Sequence, residues 1–200
     1  MSTSETAASS TERSVRILEA ACTVIVRDGA HGLRMASVAR EAQVSKALVH
    51  YYFATRQALL RSALQFSEER WNGALDEQLA LLPTAAAKVE RMLVAGIEPD
   101  LPFREQRALG NEIWSTLRTD DELRPLVERS YKAWLGRLVG LIDDGRADGS
   151  VPASVDAEPA GWRLAAVADG LDSLLYLGLA DREQAARLMR GAIALELGTA

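Results

Sequence analysis

The turn Gln43-Val44-Ser45, set between two short apolar-periodic segments in the stretch MASVAREAQVSKALVHYYF (Met35 to Phe53), narrows the fold of this chain more than any other feature. Before the turn, Val38, Ala39 and Ala42 share a face, which predicts a helix from about Met35 to Ala42. After it, Val49 and Phe53 stand four apart and share the buried side of a second helix. Val44 is the apolar plug of the turn. Ser45 is a good N-cap, because its hydroxyl can accept from amides left open at the start of the next helix. Lys46, Ala47, His50 and Tyr51 then occupy the opposite, outer face. Two short helices joined so tightly make a helix-turn-helix, whose second helix can enter the major groove of DNA.

A third helix is expected to support this pair. Val15, Leu18, Cys22 and Ile25 recur at helical spacing from about Thr11 to Asp28, and Gly29 and Gly32 end the run. Residues 1–10 are Ser, Thr and Ala with little to bury, and read as a disordered tail. A helix-turn-helix domain over 11–55 would then precede a body over 56–200. In that body Thr55 caps a helix running to about Leu82, stopped by Pro83 and roughly 40 Å long at 1.5 Å per residue. Further helices are expected over about 84–97, 102–118, 121–146, 156–178 and 181–197, for an all-α chain of about nine helices.

The overall charge of −5 argues against nucleic acid until it is divided by region. Residues 12–56 carry a surplus of base, +3, whereas residues 57–200 carry −7. Such a split suits a small DNA-binding module attached to an acidic body that stays off the phosphates. Other function classes find little support. The two histidines, His31 and His50, have no nucleophile assigned beside them, so catalysis is not expected. The run Asp144-Gly145-Arg146-Ala147-Asp148-Gly149 has the shape of a calcium loop, but Arg146 stands where a ligand belongs and Val155 where the bidentate Glu should be; it reads as a turn, and no metal site or cofactor is expected. Cys22 is the single cysteine, which excludes an intramolecular disulfide and reads as a small core residue, with a redox sensor as the lesser alternative. No run of about eighteen apolar residues appears, and the N-terminal residues are polar where a secretory signal would be apolar, so a cytoplasmic protein without membrane contact is expected.

The segment RILEAACTVIVRDGAHGLRMASVAREAQVSKALVHYYFATRQALL resembles the TetR family of one-component transcriptional regulators. The resemblance rests on Ile17-Leu18-x-Ala20-Ala21, Gly29, Val38-Ala39, Ala42, Val44-Ser45-Lys46, Tyr51-Tyr52-Phe53, and Arg56 before Ala58-Leu59-Leu60. The body, with ADGLDSLLYLG at 168–178, looks most like the branch that includes regulators of choline and betaine genes. The resemblance implies that Lys46, Ala47, His50 and Tyr51 face the groove, with Lys46 reaching guanine and Ala47 or Tyr51 a thymine methyl. Arg34, Tyr52 and Arg56 are then the candidates for phosphate. Departures stand at Leu33 and Leu48, where the family usually carries hydroxyl residues, and at Gln43, where Gly is usual; Gln43 implies either a helix-compatible backbone or mild strain.

The same resemblance implies a twofold homodimer built on the last two helices, for which Leu164, Val167, Leu171, Leu174, Leu188 and Ala192 are the candidate contacts. It also implies an effector pocket in the body. Each tryptophan alone reads as core; as a set, Trp71, Trp114, Trp134 and Trp162, with Glu68, Phe103 and Tyr131, suggest an aromatic cage with acidic edges for a small hydrophobic or cationic effector. The expected function is a ligand-responsive regulator of double-stranded DNA, most simply a repressor. The alternative is a helical small-molecule carrier or enzyme whose DNA module has decayed, motivated by Leu33, Leu48 and Gln43.

Overall fold

The computed structural model describes residues 3–97, 109 and 123–198, and every regular element among them is a helix. In chain order these are α1 (Thr3–Asp28), α2 (Met35–Glu41), α3 (Lys46–Tyr52), α4 (Arg56–Ala80), α5 (Ala85–Val94), α6 (Arg124–Asp148), α7 (Ala157–Tyr176) and α8 (Arg182–Leu197). The all-α expectation holds; of the helix expected over 102–118 only Leu109 lies within the described residues. No helix among the described residues is long and apolar enough to cross a membrane. α1 starts at Thr3, well ahead of the Thr11 expected, so the segment read as a disordered tail continues the helix. The Ala and Glu residues there have good helix propensity, and an existing helix extends more readily than a new one starts.

The chain divides into two compact units. The first comprises Met1–Asn72 and Glu105–Leu126, the second Gly73–Arg104 and Val127–Ala200, and α4 runs through both. In the first unit Ile17, Ala21, Val24 and Ile25 form the inner stripe of α1 and meet Val38 and Ala39 of α2, Val49 of α3 and Leu59, Leu60 and Ala63 of α4, all buried. After α1 the chain reverses sharply: Gly29 takes φ +77°, and a side chain at Gly32 would meet the Asp28 carbonyl oxygen at 2.1 Å. Only glycine fits a loop folded so tightly onto the end of its own helix.

In the second unit α7 and α8 pack together and α5 packs on α8. Their inner faces carry Val89, Met92 and Leu93, then Leu164 and Leu171, then Met189 and Ile193. α6 and α7 approach closely where Gly161 faces Val139, whose Cγ2 would lie 2.7 Å from an added Cβ. Exposed ion pairs, Arg190 with Glu90 at 2.9 Å and Arg163 with Glu196 at 2.7 Å, cross between helices and add little beside that burial.

The stretch 144–149 is not the turn expected from its Gly and Asp content. α6 continues to Asp148, and the reversal occurs at Gly149, φ +80°. Gly145 sits against Val151, and the acidic end of the helix has a distant task. Asp148 accepts from the Ala85 amide at 2.8 Å, Ser150 from Ala86 at 3.1 Å, and Thr84 from Ala87 at 3.3 Å, so successive open amides at the start of α5 are each satisfied by a different side chain.

Candidate nucleic-acid interface

The α2–α3 connection is closed by paired backbone bonds. The Val44 amide donates to Ala39 at 2.9 Å and the Gln43 amide to Arg40 at 3.2 Å, a double closure that demands a left-handed residue at position 43. Gln43 supplies it with φ +54°, so of the two readings its backbone is the strained one. Val44 packs partly buried on the core, and Ser45 caps α3 by accepting from the Leu48 amide at 3.1 Å. α3 is thus fixed in register at its first turn.

Val49 is fully buried and Phe53 is buried just beyond the helix. That anchoring turns Lys46, Ala47, His50 and Tyr51 to solvent together. Tyr51 is 80% exposed, a large aromatic side chain with no burial to justify its position. Its ring meets Tyr52 edge-on at 5.2 Å, and Tyr52, half-buried, packs on the core and lies 6.4 Å from Phe53. Tyr52 therefore supports Tyr51 while its own exposed part remains at the same surface.

Arg34 is exposed at the N-cap of α2. Arg56 differs from its expected role. Its Nε donates to the Leu33 carbonyl at 2.9 Å and its terminal nitrogen to the Ala30 carbonyl at 2.5 Å, so the guanidinium clamps the α1–α2 loop to the start of α4. The loop carbonyls have no helical partners there, and a fixed fork of donors suits them. Leu33 is fully buried in the core, which gives that departure a packing reason. A second staple is Arg27, which donates to Asp28 at 2.9 Å and Glu41 at 2.7 Å and joins the end of α1 to α2. These hydrogen bonds, that to Asp28 foremost, hold the guanidinium charged and lower the Asp28 carboxyl below its ordinary range.

The residues expected around an effector divide between the units. Glu68 and Trp71 are half-buried on the part of α4 in the first unit, while Tyr131, Trp134 and Trp162 belong to the second; Phe103 and Trp114 lie outside the described residues. The structure brings Tyr131 and Trp134 together, ring centres 5.6 Å apart. The Tyr131 hydroxyl donates to Asp169 on α7 at 2.7 Å, and burial followed by that carboxylate raises the phenol above its ordinary pKa. Trp162 is 54% exposed.

Of the residues expected at a dimer contact, Leu164 and Leu171 are buried inside their own unit. They stand seven apart on the inner face of α7, whereas Val167 and Leu174 stand on the outer one. Leu188 is 50% exposed and Ala192 half-buried on α8. Leu195, 88% exposed, joins the outer stripe at helical spacing from Leu188 and was missed because the sequence pattern alone does not say which apolar face turns inward.

Residues 17–63 match the profile of the bacterial regulatory proteins of the tetR family, and residues 85–198 that of the BetI-type transcriptional repressor, C-terminal. The chain belongs to the TetR family. Residues 85–198 are of BetI type, and the chain is a transcriptional regulator. The HTH-type transcriptional regulator BetI of Escherichia coli O127:H6 is 26% identical over 157 residues, 78% of each chain. Among solved structures, a protein from Rhodococcus sp. described as a TetR-family transcriptional regulator superposes with a TM-score of 0.82 at 28% identity, covering 93% of this chain and 99% of that one. A transcriptional regulator from Saccharomonospora viridis, solved in complex with choline, superposes with a TM-score of 0.80 at 25% identity, covering 92% and 96%. The TetR-type features legible in the sequence thus belong to a relationship that spans both units.

Proposed function

We propose that this TetR-family chain is a repressor that binds a near-palindromic operator as a homodimer and leaves it when a small hydrophobic or cationic effector binds the second unit. The observation that carries the reading is the outer face of α3: Lys46, Ala47, His50 and Tyr51 exposed together on a helix anchored by Val49 and capped by Ser45. Lys46 offers a donor to guanine, Tyr51 an apolar edge to thymine, and Arg34 a charge to phosphate. One such helix reads few base pairs, so two copies related by a twofold axis, one turn of DNA apart or a multiple of it, give the affinity and the palindrome.

The outer stripe of Val167, Leu174, Leu188 and Leu195 supports pairing through the last two helices. Tyr131 and Trp134, with the Asp169 carboxylate on the Tyr131 hydroxyl, combine aromatic rings and negative charge, the chemistry that favours a quaternary ammonium. Choline in the Saccharomonospora viridis relative supports the same class. An effector releases DNA only as far as it binds the released state more tightly than the DNA-bound one.

The experiment is footprinting on the DNA upstream of the chain's own gene, with and without choline. Two protected half-sites in a near-palindrome, lost on adding choline, are expected. Absent or salt-insensitive binding would overturn the DNA reading, and protection indifferent to choline and to other organic cations would overturn the effector class.

A further inference from the structure

We infer that the cleft between α1 and α4 in the first unit is a second small-molecule site, which takes an amphipathic carboxylate. It does not rest on the effector reading of the second unit. The two helices part between Glu19 and Arg27 on one side and Phe66 and Arg70 on the other, leaving a cavity of about 400 Å³. Small-ligand sites typically measure roughly 300–1,000 Å³.

The walls divide by chemistry. Cys22, Val26, Phe66 and Leu109 supply apolar surface, with Leu109 buried in the core of the unit. Ser67, the one polar residue that is buried among those described, also lines the cavity. The charge belongs to Glu19, Arg27 and Arg70. The Arg70 guanidinium lies 5.6 Å from the centre of the Phe66 ring and donates to Glu19 at 2.8 Å. An arginine lying over a ring keeps its N–H edges for carboxylates, and a fork of donors receives a carboxylate better than a point charge does.

Glu19 and Arg70 are both about half exposed, so their pairing is screened and easily exchanged. A ligand carboxylate that replaces Glu19 takes over the charge-assisted bond while its apolar body covers Phe66, Val26 and Cys22. Arg27 is already held by Asp28 and Glu41, so Arg70, whose half-exposed partner Glu19 is exchangeable, is the guanidinium that receives the ligand carboxylate. A cation drawn to Glu19 would have to displace the Arg70 guanidinium and stand beside it.

Cys22, the only cysteine of the chain, lies in this wall, so its reaction with N-ethylmaleimide reports occupancy in the full-length protein. With 4-phenylbutyrate at about ten times its Kd, alkylation is expected to slow about tenfold by mass action. 4-Phenylbutanol and 4-phenylbutylamine should protect far less. Glu19→Gln, which removes the internal competitor, is expected to tighten phenylbutyrate about two- to fivefold, the range an exposed ion pair spans. Arg70→Leu should lose the protection while keeping its circular dichroism melt. An unchanged thiol rate at millimolar phenylbutyrate, equal protection by the amine, or the same affinity in both variants would overturn the proposal.

Discussion

Tyr51 and Arg56, five positions apart and both first read as DNA contacts, behave differently in the structure. Tyr51 spends its ring on solvent; Arg56 spends its guanidinium on two carbonyls of the α1–α2 loop. Tyr51→Ala should therefore leave folding unchanged and weaken operator binding by about tenfold or more, with a smaller loss on random DNA, because base contacts are worth roughly 1–3 kcal/mol each in discrimination. Fluorescence anisotropy on operator and scrambled duplexes reads the difference, and equal losses on both would move Tyr51 to the phosphates. Arg56→Ala should instead cost stability, about 2 kcal/mol in urea unfolding, since two hydrogen bonds from a charged donor are lost; the Leu33 carbonyl loses that donor, and the Ala30 carbonyl keeps only the Leu33 amide. The salt slope of DNA binding by the folded variant should stay near that of the parent. A slope reduced by about one unit would return Arg56 to the phosphates.

At the scale of elements, α5 depends on residues far from it in sequence. The Asp148 carboxyl is held below its ordinary range by the Ser150 hydroxyl first and then by the Ala85 and Ser150 amides. A carboxyl whose folded pKa is depressed contributes stability above its unfolded pKa, about 4, and loses it as pH falls through the folded value. Asp148→Asn should thus be less stable than the parent at pH 7, with the gap narrowing as pH falls below about 4; urea midpoints at pH values on either side test it, and a constant gap would remove Asp148 from the acid response. This cap also marks where the sequence stops being legible. The helix-turn-helix was readable because its determinants are local: Ser45 caps an amide three residues on, and Val44 plugs a turn closed within five. Two of the three caps of α5, by contrast, join positions 63 and 64 apart, and the clamp of Arg56 joins positions 23 and 26 apart. Neither leaves a periodic trace. α7 was half legible: its apolar content announced a packed helix, but with apolar residues on both faces only the structure distinguishes Leu164, inward, from Val167, outward.

For the whole molecule, that distinction separates two kinds of damage. Leu188→Arg, on the outer stripe, should leave a folded chain that sediments as a monomer and binds operator at least tenfold more weakly, since two half-sites are then no longer read together. Leu164→Ala should cost about 2–5 kcal/mol in unfolding, as core truncations do, without a selective effect on dimerisation. Analytical ultracentrifugation combined with melting separates the two; a Leu188→Arg dimer would place the contact elsewhere. The clamp at Arg56 also limits how such chains can be recombined. A cut between residues 55 and 56 would leave behind Arg56, Leu59, Leu60 and Ala63, the side of the first unit's core that α4 supplies. A hybrid that inherits residues 1–55 alone receives a reading head without its backing. One joined after Asn72, with residues 105–126 carried along, inherits the compact unit entire, and should be the graft that transfers operator choice to another body.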